Sequence, residues 1–490
     1  MRDLGQIIKA YDVRAIYPDQ LDEVLARDIG AAFVQVLAGD GPPPAAVVVG
    51  HDMRPSSPGL VEAFAAGVCA SGADVVQVGL VSTDALSFAS GQLGLPGAMF
   101  TASHNPARYN GIKLCRAGAV PVGQDTGLGQ IRRLLEQGVR VGAGRLGVVS
   151  ERDILGDYAA YLKKLVDVSG IRPLTVVVDA GNGMAGLTAP VVLADLPLSV
   201  VAMYFELDGT FPNHEANPID PANLVDLAAQ VLVSGADLGL AFDGDADRCF
   251  VVDERGELVS PSTVTALIAA RELALHPGAA VIHNLITSRS VVEVIRENGG
   301  IPVRTRVGHS FIKAVMAETG AVFGGEHSGH FYFRDFWRAD SGMLAALHVL
   351  SALGTSPPGT GLSTLLAPFD RYVASGEINS TVDDAAARTQ AVQEAFSPVA
   401  RVVDEAGEAT TVDRLDGLTV DAADWWFNLR GSNTEPLLRL NVEAVTASTM
   451  ERVRDAVLDL VRGVADGDVP GPVLHAHLHA HLPTDAPAGG

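Results

Sequence analysis

The sequence predicts an α/β protein of three similar units followed by a smaller α+β domain. Three observations carry this: a threefold recurrence of short β-branched runs, a polar loop after a later strand in each recurrence, and a change of pattern beyond Phe369.

The recurring runs are Ala45–Gly50 (AAVVVG), Leu174–Asp179 (LTVVVD) and Ala279–Ile282 (AAVI), each closed by polar or Gly residues and followed by a helix-like stretch. Such runs read as buried parallel strands. A later strand in each unit, Gly97–Phe100, Asp237–Phe242 and Gly320–Phe323, runs into Thr101–Pro106, Asp243–Arg248 and Gly324–His330. Strands alternating with amphipathic helical patterns imply α/β units. In such sheets ligand groups gather beyond the carboxyl ends of strands, so three polar loops at corresponding positions predict one site assembled from three domains. Beyond Phe369 the strands Arg371–Ile378, Gly417–Asp421, Trp425–Leu429 and Leu437–Ala444 and the helices Ala385–Phe396 and Thr449–Val461 read as a small α+β domain. The expected domains are 1–150, 151–253, 254–365 and 366–464, with 465–490 a Pro/Gly/Ala-rich disordered tail. Four alternating His in that tail read as solvated side chains rather than a metal site.

The 490 residues exceed one core. A net charge of −23 argues against general binding to nucleic acid or anionic membrane. An anionic ligand would need a local basic cleft. The N-terminal stretch lacks an apolar signal-like core, and the apolar run Met343–Gly354 is too short to span a bilayer. Three widely spaced Cys fit a reducing compartment, so the expected location is the cytoplasm.

Four motifs carry chemistry. In Thr101-Ala102-Ser103-His104-Asn105-Pro106, Ser103 stands at a strand-to-loop junction, where a hydroxyl can accept and donate a phosphoryl group if cations neutralise the charge; Lys113 lies close enough to return to that loop. In Asp243-Gly244-Asp245-Ala246-Asp247-Arg248, three alternating carboxylates suit one hard cation such as Mg²⁺, and Arg248 suits a phosphate. A calcium-binding EF-hand fails because Arg248 replaces the Gly needed at its sixth position. In Gly324–His330, Glu326 and Ser328 can hydrogen-bond sugar hydroxyls and His330 titrates in the range of proton transfer; Arg306, His309 and Lys313 add charge upstream. In Arg430-Gly431-Ser432-Asn433-Thr434-Glu435-Pro436, an Arg and short polar side chains form a phosphate cradle that is not a Walker loop.

In this order and over about residues 5–462 the four motifs resemble the α-D-phosphohexomutases. The resemblance implies three α/β domains with mixed sheets plus the smaller fourth domain, around a central cleft. It implies a phosphoserine at Ser103 and Mg²⁺ on Asp243, Asp245, Asp247 and the Ser103 phosphoryl oxygen. Glu326 and Ser328 would grip the sugar; Arg430, Ser432, Asn433 and Thr434 would clamp the non-reacting phosphate. Lys113, His309 and His330 match positions of proton transfer or phosphate contact. Tyr11 and Arg14 match an N-terminal Tyr-Asp-Ile-Arg-Gly segment, here departing at Ala15. The implied reaction interconverts hexose 6-phosphate and hexose 1-phosphate through a hexose 1,6-bisphosphate. The Glu-His-Ser-Gly-His loop is similar to that of phosphomannomutase/phosphoglucomutases; phosphoglucosamine mutases usually carry Gln where His327 stands. A phosphoglucosamine mutase and a sugar-phosphate phosphatase are the alternatives. The expected partners are small hexose phosphates, and the expected assembly a monomer or weak dimer.

Overall fold

The computed structural model describes residues 3–140, 144–396, 411–431 and 437–463. The chain divides into two units. One takes Met1–Thr287, Val291–Arg304 and Gly308–Asp370; the other takes Ser288–Ser290, Thr305–Val307 and the chain from Arg371.

The first unit contains three mixed sheets among the described residues. The first sheet comprises β1 (Val13–Ile16), β2 (Ala46–His51), β3 (Asp74–Leu80), β4 (Gly97–Phe100), β5 (Tyr109–Arg116), β6 (Val120–Pro121) and β7 (Val149–Glu151). Its order is β1-β5-β4-β2-β3-β7, with β6 paired to β5. The second comprises β8 (Leu174–Asp179), β9 (Leu198–Met203), β10 (Leu238–Phe242), β11 (Cys249–Asp253) and β12 (Leu258–Val259), in the order β12-β11-β10-β8-β9. The third comprises β13 (Ala280–Asn284), β14 (Ile301–Thr305), β15 (Phe323–Gly325) and β16 (Phe331–Phe333), in the order β14-β13-β15-β16.

One arrangement recurs in all three. A parallel pair is followed by a strand that returns antiparallel to its second member: β2, β4 and β5; β8, β10 and β11; β13, β15 and β16. The connection between the last two strands is in each case one of the polar loops, at the carboxyl end of β4, β10 or β15. The parallel strands are apolar because both faces are covered: every residue of β4 and β10 is buried. An apolar cluster containing Val48, Phe88, Tyr158, Leu240, Phe323 and Leu347 runs through the three sheets and their helices, which is why they form one unit.

The second unit is an antiparallel sheet of β17 (Val373–Thr381), β18 (Thr411–Asp413), β19 (Leu418–Asp421), β20 (Trp425–Gly431) and β21 (Leu437–Ala444), in the order β17-β21-β20-β19-β18. Helices Ala385–Phe396 and Ala447–Arg462 bury Phe396, Val453 and Val457 against Trp425 and Phe427. None of the described helices is long and apolar enough to cross a membrane.

Two expectations shift. The strand expected at Gly320–Phe323 is β15, Phe323–Gly325, because Gly320 (φ +67°) is the left-handed cap of the preceding helix. The boundary expected near Ser150 falls inside β7, which pairs with β3 of the first sheet. The tail from residue 464 lies outside the described residues.

Candidate active site

Ser103, the third residue after β4, has a positive φ of 49°, a conformation that costs a β-carbon residue on the order of 1 kcal/mol. It is buried, and its hydroxyl donates to Asp243 Oδ2 at 2.7 Å. That contact joins the loop after β4 to the loop after β10. Gly244 makes it possible: a Cβ there would lie 2.5 Å from the Ser103 carbonyl oxygen, closer than any side chain tolerates. Arg248 donates from Nε to Asp243 Oδ2 at 2.9 Å, and its guanidinium also reaches Ser103 Oγ at 3.3 Å and His104 Nδ1.

Asp243, Asp245 and Asp247 are all buried, and each offers a carboxylate oxygen within 4.8 Å of the others. Asp245 Oδ1 and Asp247 Oδ1 are buried without a hydrogen-bond donor among the described residues. Burial pushes Asp243 up to about 7 against the opposing pull of Arg248. For Asp245 burial is outweighed by Lys113, which holds it well below the usual carboxylate range. An all-oxygen set with two oxygens lacking donors fits a hard cation such as Mg²⁺. The acidic cluster can therefore hold a metal.

Lys113 rises from β5; its charge acts on His104 beside Ser103, and its Nζ lies 2.7 Å from both Asp245 Oδ2 and Asp247 Oδ2. Burial would lower its pKa, but the two carboxylates win and raise it, keeping the ammonium charged. Thr83, at the start of the helix after β3, adds a 2.5 Å hydroxyl bond to Asp245 Oδ2.

His330, beyond β15, places Nδ1 2.9 Å from Asp340 Oδ2 and 3.8 Å from Asp247 Oδ1. Burial alone would lower its pKa; Asp247 and Asp340 raise it. Lys313 closes the chain on Asp340 Oδ1 at 2.7 Å. Tyr11, Thr83, Lys113, Asp247, Lys313 and His330 line a pocket of about 80 Å³. Tyr11 packs edge-on against Phe311 at 6.2 Å. Arg14 binds Asp12 and donates to Asn105 Oδ1 at 2.7 Å, which puts it against the Ser103 loop.

Glu326 is buried, and its carboxylate accepts from Tyr332 Oη at 2.7 Å, Gly308 N at 3.1 Å and Asn284 Nδ2 at 3.2 Å. Three donors leave acceptor capacity on the two carboxyl oxygens. Ser328 is half-buried on the same loop. In the second unit, Arg430 donates to Glu377 Oε2 at 2.9 Å. Ser432, Asn433, Thr434 and the His309 side chain lie outside the described residues.

Sequence reading missed Thr83, Arg54 and Asp340. Ser82-Thr83-Asp84 carries a capping signal, since Ser82 accepts from Ala85 N, but nothing local says which side chain faces Asp245. Asp52-Met53-Arg54 follows β2 as an Asp-x-Arg pair. Asp340 lies ten residues past His330 with no motif around it.

Four family models match successive stretches: the phosphoglucomutase/phosphomannomutase alpha/beta/alpha domains I (residues 5–139), II (156–256) and III (260–372), and the C-terminal domain (377–460). Curated relatives include the phosphohexose mutases of Xanthomonas campestris pv. campestris, 42% identical over 93% of this chain and 99% of the relative. The phosphomannomutase/phosphoglucomutase of Pseudomonas aeruginosa is 37% identical over 94% of this chain and 96% of its own. A phosphoglucomutase/phosphomannomutase family protein from Burkholderia thailandensis superimposes with a TM-score of 0.82 at 33% identity, covering 95% of this chain and 99% of that one.

Proposed function

The chain belongs to the phosphoglucomutase/phosphomannomutase family and is a hexose-phosphate mutase, and from that premise we propose how its residues perform the reaction and on which sugars. The substrates are mannose and glucose phosphates, supported by the names of the curated relatives and by the Glu326-His327-Ser328-Gly329-His330 loop. The observation that carries the mechanism is the seryl hydroxyl of Ser103 set 2.7 Å from the first aspartate of a buried acidic cluster.

In this reading Ser103 carries a phosphoryl group. The phosphorus–Oγ bond breaks as a new bond forms from phosphorus to the free hydroxyl of a hexose 1- or 6-phosphate. The product is a hexose 1,6-bisphosphate, which turns end for end and returns its other phosphoryl group to Ser103. Asp243, Asp245, Asp247 and an oxygen of the phosphoserine would hold Mg²⁺, whose chemistry is to neutralise charge on the transferring group. Arg248, already beside Ser103 Oγ, adds the second positive charge. Lys113 is pinned by two carboxylates as a charged group, so it is a fixed charge rather than a base. The proton leaving the sugar hydroxyl goes to His330, whose Nδ1 is held by Asp340. Glu326 and Ser328 grip the sugar ring in either orientation. Tyr11, Arg14 and His309 belong to the substrate-binding set, and the family likeness of the C-terminal domain supports Arg430, Ser432, Asn433 and Thr434 as the clamp on the phosphate that does not react. All three cysteines are unpaired, which suits a cytoplasmic enzyme.

The test is Ser103→Ala. Mutase turnover falls to background in a variant that unfolds like wild type; wild-type turnover, with contaminating mutase excluded, ends the phosphoserine reading. Steady-state rates on mannose, glucose and glucosamine 1-phosphates, each with its bisphosphate, rank the substrates. A preference for the glucosamine compound overturns the sugar assignment.

A further inference from the structure

Arg54 lies directly behind the Ser103 loop, outside every motif of the sequence. It is 1% exposed. All five of its N–H donors are used. Nε donates to Asp52 Oδ2 at 3.1 Å. One terminal nitrogen donates to the carbonyls of Pro106 (3.0 Å) and Tyr109 (2.9 Å), the other to those of Ser103 (2.9 Å) and Asn105 (2.7 Å). Four carbonyls, three from the loop and one from the first residue of β5, thus converge on a single guanidinium. Without a cation at their centre these dipoles repel, so the guanidinium supports the left-handed backbone at Ser103 alongside the bond from the Ser103 amide to Thr101 Oγ1 at 2.9 Å.

The guanidinium is itself fixed on both sides. Asp52 is held by Ser57 Oγ at 2.8 Å and by the Arg54 amide at 3.0 Å. The Phe211 ring, from the loop after β9, covers its face with a centroid distance of 5.2 Å. Gly209 of that loop lies so close that a Cβ would come within 2.6 Å of Arg54 Cα.

We propose that Arg54 is a positioning residue for phosphoryl transfer: by gathering these four carbonyls it holds Ser103 in the pose that presents its phosphoryl group to the sugar hydroxyl rather than to water. The inference rests on the phosphoserine reading. Arg54 touches the backbone of the nucleophile's loop and no reacting atom. The competing reaction is hydrolysis. There a water oxygen bonds to phosphorus, the phosphorus–Oγ bond breaks, and Ser103 recovers its hydroxyl as inorganic phosphate leaves.

Arg54→Lys tests this. An ammonium keeps the charge but has three donors for five acceptors, so the loop loses its shape while the core keeps its cation. Wild type and variant are treated with glucose 1,6-bisphosphate, and the phosphate on Ser103 is followed by mass spectrometry of the intact protein. Mutase turnover and inorganic phosphate release are then measured together. The expected result is a kcat lowered about a hundredfold with KM changed less than about threefold, and phosphate release per turnover raised about tenfold. A merely structural role would scale turnover with the folded fraction and leave that ratio unchanged. If Arg54→Lys does not fold, Phe211→Leu carries the same test, because it loosens the guanidinium while leaving its hydrogen bonds; a rise of about threefold in the ratio is expected. A wild-type ratio in the folded variant overturns the role of Arg54 alone. A wild-type enzyme that never carries phosphate on Ser103 overturns the phosphoserine reading, and the role of Arg54 with it.

Discussion

Adjacent residues of one helix, Thr83 and Asp84, face two buried acidic sites that are neutralised in opposite ways. Thr83 bonds Asp245 of the metal loop, where three carboxylates are opposed by Lys113 and Arg248. Asp84 has no cation partner among its hydrogen bonds. It accepts from Ser82, from Tyr158 Oη at 2.6 Å and from Ser341 Oγ at 2.6 Å, three hydroxyls that come from the first, second and third matched domains. Hydroxyls satisfy the lone pairs but supply no charge, so burial pushes Asp84 up to about 6, whereas the ammonium beside Asp245 drives that group down. The first site can hold a cation. The second ties three domains together with an acid whose ionisation is shifted by burial up to about 6.

The comparison can be broken most forcefully at Asp245. Asp245→Asn removes one carboxylate from the cluster while keeping its shape, and kcat should fall by more than about a hundredfold with a weakened Mg²⁺ titration. An unchanged titration curve would mean that the metal is held elsewhere. Lys113→Met comes next. Removing the ammonium leaves two buried carboxylates uncompensated, and since the ammonium is partly accessible the expected loss is about 2 kcal/mol rather than the larger cost of a sealed pair. The loss should shrink when Mg²⁺ is added, which unfolding curves with and without the ion will show; equal losses would contradict a cation site beside Lys113.

Asp84→Asn gives the smallest effect and sharpens the contrast. Its folded pKa is raised from 3.8 to about 6, so between those values the folded state binds more protons than the unfolded state. Its contribution is therefore present at low pH, falls as pH rises through about 6, and levels off above, a change on the order of 2–3 kcal/mol. The wild-type-minus-variant difference in unfolding free energy should drop by that amount from pH 4 to pH 8. A difference independent of pH would show that Asp84 is ionised throughout.

Much of this was legible locally. Leu174–Asp179, Gly97–Phe100, Ala385–Phe396 and Leu437–Ala444 keep their expected bounds, because each is a run whose apolar pattern and flanking turns agree. The Ser103 and Asp243–Arg248 motifs were readable because their chemistry is contiguous in the chain. Strands β1 and β5 went unread: they mix polar and apolar residues, and it is pairing that makes them strands. For the same reason the sequence did not show which two aspartates meet Lys113. Its side chain leaves β5 opposite Met99, and sequence distance to Ser103 says nothing of which loop it meets.

The amino-acid order alone determined the repeated α/β plan, the four motifs and hence the class of reaction, since local periodicity and contiguous side chains are properties of neighbouring residues. Tertiary structure decided which groups meet: Lys113 with two aspartates, His330 with Asp340, Arg54 with the carbonyls of Ser103, Asn105, Pro106 and Tyr109. Those pairings depend on distances across separate strands and domains, and electrostatic energy follows distance in space rather than separation along the chain.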